Sequence, residues 1–149
     1  MRETAWLEPA AALGKGALRE LFRDDYYAVT VDPDGIARIT RLAKGYTTLI
    51  EAEASLDRLQ LCIRRLPRSM APKALVDLRE SPGWNDEAFE KKTVAFRKEL
   101  TARFNPLAIL VRTVVGKLQI SRLNRQDAIE AVVFDNEQQA MLFLKKPNS

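Results

Sequence analysis

The feature that most constrains the fold of this chain is an alternation of short apolar runs with longer stretches of helical periodicity. The apolar runs lie at about 73–78, 107–111 and 129–134, and runs of this length are typical of strands covered on both faces. Strands joined by helices require right-handed crossovers, so we predict an α/β domain with a mainly parallel sheet and helices packed on it. The side chains expected in the sheet core are Leu75, Val76, Ile109, Leu110 and Val133.

A turn motif places an antiparallel hairpin before the first helix. The tetrapeptide at 32–35, Asp-Pro-Asp-Gly, combines a proline that presets the backbone with a glycine that permits a tight turn. Tyr27, Val29 and Val31 alternate along the first arm, and the second arm covers about 36–42. The predicted sheet is therefore mixed and begins with an N-terminal β-hairpin.

The chain of 149 residues suits a single domain, and the segment before the hairpin is predicted to lie outside it. In that segment Ala17, Leu18, Leu21 and Phe22 stand at helical spacing. We expect three parts: a partly helical leader at 1–24, one domain at 25–145 and a frayed tail at 146–149.

The first helix is predicted from its cap. Thr48 and Glu51 stand in the S/T-x-x-E order of a capping box, and apolar residues follow at helical spacing as far as Ile63. This helix must end by 66, because Pro67 disfavours helical geometry in the residue before it. Cys62 lies on the same helix, where we expect a small buried hydrophobic side chain and not a reactive thiol.

Three further helices are expected in the second half of the chain. One opens at the cap residue and acids of 85–87, and the last opens behind the pair Asp135 and Gln138. Between them a helix is predicted over about 116–125. The side chains expected to face inward on that helix are Val115, Leu118 and Leu123.

The composition excludes several kinds of catalytic site. The chain has no histidine and one cysteine, which removes the commonest general base and most transition-metal sites. It also carries no nucleotide-binding fingerprint and no paired-cysteine motif. We therefore expect no enzymatic activity, no metal and no cofactor.

Two stretches without acidic residues are candidate anion-binding surfaces. One covers 58–73 and the other 112–126, in a chain with a net charge of +4. Free backbone N–H groups and a lysine at the start of the third helix could hold an anion. Solvated helix faces are the commoner explanation, and a phosphate, an acidic protein or a nucleic-acid backbone are the alternatives. The candidate anion contacts are Arg112, Gly116, Lys117, Arg122 and Arg125.

The loop after the predicted central strand is the main candidate for a functional surface. Asp77 closes that strand, at the edge where ligands of open α/β sheets gather, and we expect its carboxylate to accept N–H bonds from the loop. Loops on rigid scaffolds concentrate interaction residues. Trp84 either contacts a partner or folds back over the core. The candidate regulatory or partner residues are Arg79, Glu80, Ser81, Gly83 and Trp84.

Three strand segments resemble the STAS family, the sulfate transporter and anti-sigma factor antagonist domains, especially the small bacterial members of the sporulation anti-anti-sigma type, and the adjoining lipid-binding SEC14-like group. The segments are Ala-Leu-Val-Asp-Leu at 74–78, Leu-Ala-Ile-Leu-Val at 107–111 and Ala-Val-Val-Phe-Asp at 131–135. The resemblance spans about 26–144 and implies a STAS-like fold.

In phosphorylated members of that family, a serine or threonine follows the central strand within an Asp-Ser-Ser-Gly-like loop. Ser81 keeps the serine and Gly83 keeps a glycine, whereas Pro82 and Trp84 depart from the pattern. The resemblance implies that Ser81 is a candidate phosphorylation site. On the composition of the loop alone, a turn serine in a Pro-Gly loop is the commoner explanation.

The resemblance implies a non-catalytic regulatory or protein-interaction domain of the anti-sigma factor antagonist kind. The alternative is a carrier of a small lipid or another anionic ligand. Nonspecific nucleic-acid binding comes third, because the chain has few aromatic residues and no stacking motif. No export signal or membrane-spanning run is visible, so we expect a cytoplasmic protein with a protein partner, and a homodimer is left open.

Overall fold

In the part of the chain that the structure describes, six strands lie side by side in the order in which they occur in the sequence, and four helices cover them. The computed structural model describes residues 18–82 and 86–146. The elements are β1 (Arg19–Arg23), β2 (Tyr27–Val31), β3 (Ile36–Arg41), α1 (Leu49–Arg65), β4 (Lys73–Asp77), α2 (Glu87–Arg103), β5 (Leu107–Leu110), α3 (Val114–Gln126), β6 (Val132–Phe134) and α4 (Glu137–Lys145).

The sheet contains both kinds of strand pairing. β1 pairs with β2 and β2 with β3 in antiparallel register, whereas β3–β4, β4–β5 and β5–β6 are parallel. A parallel pairing needs a crossover connection, which α1, α2 and α3 supply in turn. The expected α/β domain with a mixed sheet and an N-terminal hairpin is therefore confirmed.

The turn between β2 and β3 is built as its sequence predicts. Gly35 has a φ of 77°, a backbone conformation that a side chain would strain. Asp32 Oδ1 accepts hydrogen bonds from the backbone N–H groups of Asp34 at 2.9 Å and Ile36 at 3.0 Å. This carboxylate fixes the turn and with it the register of the hairpin.

The predicted helical leader is wrong where the structure describes it. Residues 19–23 form β1, an edge strand whose register shifts between Glu20 and Phe22. Such a bulge interrupts the alternation of side chains, so Leu18, Leu21 and Phe22 imitate helical spacing in a segment that is extended. The sheet thus already includes Arg19–Arg23, ahead of the expected boundary at 25, while residues 1–17 and 147–149 lie outside the described residues.

The helices are divided between the two faces of the sheet. Successive right-handed crossovers that advance in one direction place α1, α2 and α3 on the same face. α1 and α2 cover the alternate side chains Val29, Ile39 and Leu107, whereas Leu75 and Leu110 point to the opposite face and pack against α4. The sheet core is as predicted: Leu75, Ile109, Leu110 and Val133 are buried and Val76 is partly buried.

Helix caps decide where the helices begin. Thr48 Oγ1 accepts from the Glu51 N–H at 3.0 Å, which confirms the predicted start of α1, and α1 ends at Arg65 before Leu66. At α4 the expected pair is wrong by one residue, because the cap is Asn136, whose Oδ1 accepts from the Gln139 N–H at 2.9 Å. Within 18–82 and 86–146, no helix is long and apolar enough to cross a membrane.

Candidate interaction surface around helix α3

The carboxyl ends of β4, β5 and β6 meet at one edge of the sheet, where α2, α3 and α4 begin. This is the edge at which open α/β sheets bind their ligands. The segment 79–82 leaves β4 there, and Arg112 and Thr113 connect β5 to α3. Asp77, the loop residues that follow it and Arg112, all singled out in the sequence, therefore lie at the same end of the sheet.

The Asp77 carboxylate at this edge accepts four hydrogen bonds from the described part of the chain. Its carboxylate accepts from the Arg79 backbone N–H at 3.1 Å, from Arg79 Nε at 3.0 Å and Nη2 at 2.8 Å, and from Arg38 Nη1 at 3.2 Å. Burial raises the pKa of Asp77, but the bonds from Arg79 and the charge of Arg38 outweigh it, so that the pKa lies below its ordinary value. The expected loop N–H bond is confirmed, and Asp77 stays ionised.

Glu137 completes an ion-pair cluster with these residues. It accepts from Arg38 Nη2 at 2.8 Å and from Arg79 Nη2 at 2.9 Å. The hydrogen bond from Arg38 is the main reason that the pKa of Glu137 is lowered. Arg79, which the sequence suggests as a partner contact, is therefore held between two carboxylates, and its main role is to join β4 to the start of α4.

The next two loop residues are more exposed. Glu80 Oε2 pairs with Arg112 Nη2 at 3.1 Å, and both side chains are more than 60% exposed. The Ser81 backbone N–H donates to the Leu78 carbonyl at 3.1 Å, and Ser81 itself is exposed. Gly83 and Trp84 lie outside the described residues, so the loop meets the start of α3 through Glu80 and Arg112.

The start of α3, where the sequence places candidate anion contacts, carries its own side-chain cap. The helix begins two residues earlier than predicted, with Thr113 as its cap. Thr113 Oγ1 accepts from the Gly116 N–H at 3.0 Å, and the Thr113 carbonyl accepts from the Lys117 N–H at 2.9 Å. The backbone N–H groups of Gly116 and Lys117 are thus already bonded within the chain.

The orientation of α3 is also the reverse of the one predicted. Val115 and Leu118 are 64% and 65% exposed, and Leu123 is 39% exposed, so the expectation that they face inward is wrong. The helix instead packs Ile120 against the sheet and buries Asn124. Its apolar stripe therefore faces solvent.

Charged residues continue the exposed stripe. A helix turns 100° per residue, so five side chains fall within an arc of about 100°. We name them the α3 outer face: Val114, Val115, Leu118, Arg122 and Arg125. The first three occupy the N-terminal half of the helix, and the two exposed arginines occupy the C-terminal half without an ion pair to any residue that the structure describes.

The inner face of α3 is polar and open at its C-terminal end. Asn124 is 3% exposed, and neither its Nδ2 nor its Oδ1 has a hydrogen-bond partner among the described residues. Nε of Arg97 on α2 is likewise buried without a partner, although its Nη2 reaches Asp127 at 3.3 Å. An open cavity of about 450 Å³ lies beside Asn124 between the two helices, with Thr101 and Arg125 in its wall.

Basic side chains of the second stretch, at 58–73, make ion pairs and hydrogen bonds with other elements of the domain. Arg58 pairs with Asp24 at 2.9 Å, and Arg64 pairs with Glu99 at 2.7 Å. Lys73 Nζ donates to a carbonyl of α4 at 2.6 Å. Because α2 lies between α1 and α3 in the series of crossovers, we treat the stretch at 58–73 as a structural feature separate from the α3 outer face.

Two buried groups are structural. Cys62 is buried, as predicted, and burial raises the pKa of its thiol to about 12, so the thiol is not a nucleophile at neutral pH. Sequence reasoning missed Arg41, the last residue of β3, whose side chain is buried. Its Nη1 donates to the carbonyls of Leu42 at 2.6 Å and Lys44 at 2.8 Å, and its guanidinium lies 4.4 Å from the ring centroid of Tyr46.

Comparisons of the chain with protein-family models, with curated proteins and with solved structures give no match. They therefore do not bear on the resemblance to STAS domains.

Proposed function

We propose that the protein is a non-catalytic protein-interaction domain of the STAS type and that the α3 outer face is its binding surface. The observation that carries this proposal is the inverted orientation of α3. Val114, Val115 and Leu118 are each more than 60% exposed on one side of the helix, while Asn124 is buried on the other. Contiguous exposed apolar groups on a folded domain mark sites of interaction.

The energetics favour a partner that covers this stripe. Burial of apolar surface contributes about 25 cal/mol per Å², and three neighbouring aliphatic side chains supply such surface on one rigid element. These side chains stand on a regular helix whose start is fixed by the Thr113 cap, so that little backbone order has to be gained on binding. These features support an interaction module.

The Ser81 loop supports a regulatory role next to that surface. Ser81 is exposed and adjoins Glu80, which pairs with Arg112 two residues before α3. A phosphate on Ser81 would add about 1.5 to 2 negative charges, repel Glu80 and compete for Arg112. We propose that such a modification alters binding at the α3 outer face, in the manner that the STAS resemblance implies.

Site-specific photo-crosslinking in the native cell tests the interaction. A photo-reactive amino acid replaces Leu118, and a matched control chain carries it in place of Leu142, which lies on α4 and is 67% exposed against 65% for Leu118. We expect a discrete protein adduct from the Leu118 position and none from the Leu142 position.

Two results would contradict the proposal. Equal adducts from Leu118 and Leu142 would mean that crosslinking reports exposure alone. No adduct from Leu118, Val115 or Arg122, in chains that remain folded, would mean that the α3 outer face has no protein partner.

The cavity between α2 and α3 favours a second candidate function, that of a small-ligand carrier. Its wall includes Thr101, Asn124 and Arg125, which suit a polar or anionic ligand better than a lipid chain. Native mass spectrometry of the purified protein tests this function. A bound mass that Asn124→Leu removes would support it, and a purified chain at its sequence mass would count against it.

A further inference from the structure

We infer that the segment that binds the α3 outer face is an acidic amphipathic peptide, with aliphatic residues along one half and carboxylates along the other. The inference rests on the proposed function and names the chemistry of the partner. It is carried by the placement of Val114, Val115 and Leu118 on one half of an exposed helix face and of Arg122 and Arg125 on the other half.

The positive charge of α3 predicts that the partner segment is negatively charged. No acidic residue occurs from Arg112 to Gln126, a stretch that contains four basic residues. Arg122 and Arg125 have no ion-pair partner in the described part of the chain, and the Glu80–Arg112 pair is exposed at both ends. A docked segment that covered these arginines without supplying carboxylates would leave them desolvated and unpaired, which is costly.

The length of the face sets the spacing within the partner. At 1.5 Å per residue, Val114 and Arg125 are separated by about 16 Å along the helix axis. A helical partner that lies along α3 therefore places its carboxylates about ten residues from its first aliphatic contact, and an extended partner places them about five residues away. The apolar half supplies affinity, and the basic half fixes the direction in which the segment lies.

A second copy of the chain fits this face poorly. In a symmetric pairing of two parallel α3 helices, Arg122 and Arg125 would meet the same residues of the other copy. In an antiparallel pairing, each arginine would meet Val114, Val115 or Leu118. Both arrangements leave buried cations without a carboxylate, so the charge pattern disfavours a dimer through α3.

A membrane surface also fits poorly. An interfacial helix buries one apolar face along its length and keeps its cations on the polar side. On α3 the aliphatic residues and Arg122 and Arg125 share the same outward arc. If this arc lay flat in a bilayer, the guanidinium groups would enter the apolar layer together with Leu118.

The test is peptide binding to the purified full chain, followed by fluorescence anisotropy. The probe is a labelled helical peptide of about 15 residues, with leucines along one half and glutamates along the other. Matched peptides carry glutamine or lysine in place of glutamate. We expect the glutamate peptide to bind, the glutamine peptide to bind about tenfold more weakly, and the lysine peptide not to bind.

Variants of the chain locate the binding. We expect R122Q/R125Q and Leu118→Ser each to weaken the glutamate peptide about tenfold, and we expect only R122Q/R125Q to reduce the salt dependence of binding. Leu142→Ser on α4 is the matched control and should bind like the unaltered chain. All four positions are exposed, so the three variants should fold, and circular dichroism checks this.

Three results would overturn the inference. They are equal binding of the lysine and glutamate peptides, binding to phosphatidylglycerol vesicles in place of either peptide, and self-association that Leu118→Ser abolishes. Photo-crosslinking separates this inference from the proposed function. An adduct at Leu118 whose partner segment is basic or uncharged leaves the interaction module standing and refutes only the acidic partner.

Discussion

Helices α1 and α3 cover the same face of the sheet and begin with the same cap, but α1 turns its apolar stripe inward and α3 turns its apolar stripe outward. Thr48 and Thr113 each accept a backbone N–H at 3.0 Å from the residue three positions on. α1 buries Leu56 and Leu59 and leaves only Ile50 and Leu61 of its large apolar side chains exposed, whereas α3 exposes Leu118 together with its neighbours on the same stripe. The cap determines where a helix begins, and the surface beneath it determines which face turns inward.

The position of α3 in the fold accounts for the difference. α1 lies over the middle of a six-stranded sheet and also contacts β1 and α2. α3 crosses from β5 to β6, an edge strand of three residues. There is less apolar sheet for α3 to cover, so its stripe is available to another molecule.

The largest expected effect is on folding stability and separates the two helices directly. Leu59→Ala in α1 should lower the free energy of unfolding by about 2–5 kcal/mol, because it removes a fully buried side chain and leaves a cavity. Leu118→Ala in α3 should change it by no more than about 0.5 kcal/mol, because that side chain is exposed. Urea denaturation measures both, and similar losses for the two variants would show that α3 packs like α1.

A smaller effect is expected at the cluster of Arg38, Asp77, Arg79 and Glu137, which joins β3 and β4 to the start of α4. Asp77→Asn should cost about 1–3 kcal/mol at neutral pH, because Arg38 and Arg79 lose a charged acceptor. The folded-state pKa values of Asp77 and Glu137 lie below their ordinary values. Their contribution is therefore complete above about pH 5, begins to decline as the pH falls through the ordinary values, and is lost as the pH falls through the folded-state values.

Urea denaturation at neutral pH and near pH 3 measures this contribution. The unaltered chain should lose more stability between the two conditions than Asp77→Asn, which keeps the shape of the side chain but cannot titrate. An equal loss in both chains would mean that Asp77 is not stabilised by Arg38 and Arg79.

The inner face of α3 should respond in the opposite direction. Asn124→Leu should raise the free energy of unfolding by about 1 kcal/mol, because two buried polar atoms that have no partner among the described residues are replaced by apolar groups of similar volume. A comparable polar-to-apolar replacement, Ser55→Val on α1, should lower the free energy of unfolding, because Ser55 Oγ donates a hydrogen bond to Asp24 at 3.1 Å. A loss of stability in Asn124→Leu would contradict this expectation and would show that the Asn124 amide stabilises the fold.

These expectations also show which parts of the structure can be predicted from sequence. The Asp-Pro-Asp-Gly turn, the Thr48 cap and the buried strands β4 and β5 rest on residues that are close in sequence, and all are predicted correctly. β1 is missed because a bulge disturbs the alternation around Leu21. A periodic pattern identifies a strand only where the pairing is regular.

The candidate site is less predictable because its contacts join distant segments. The bond from the Arg79 N–H to Asp77 is local and expected, but Arg38 lies 39 residues before Asp77, and Glu137 lies 58 residues after Arg79. The stripe of Val115 and Leu118 is visible in the sequence, but the direction in which it faces is not. That direction depends on how much sheet β5 and β6 offer beneath the helix.

The smallest effect concerns the ion pairs that accompany the two helices. Arg64 holds Glu99 through two bonds, at 2.7 and 3.0 Å, and thereby ties α1 to α2. Arg112 holds Glu80 through one bond at 3.1 Å, and both of these side chains are largely exposed. Arg112→Gln should therefore change the free energy of unfolding by no more than about 0.5 kcal/mol, and Arg64→Gln should lower stability more. Thermal denaturation of the two variants side by side measures the difference. If Arg112→Gln proved the more damaging, the loop after β4 would be part of what holds α3 in place, and the α3 outer face would owe its exposure to that loop.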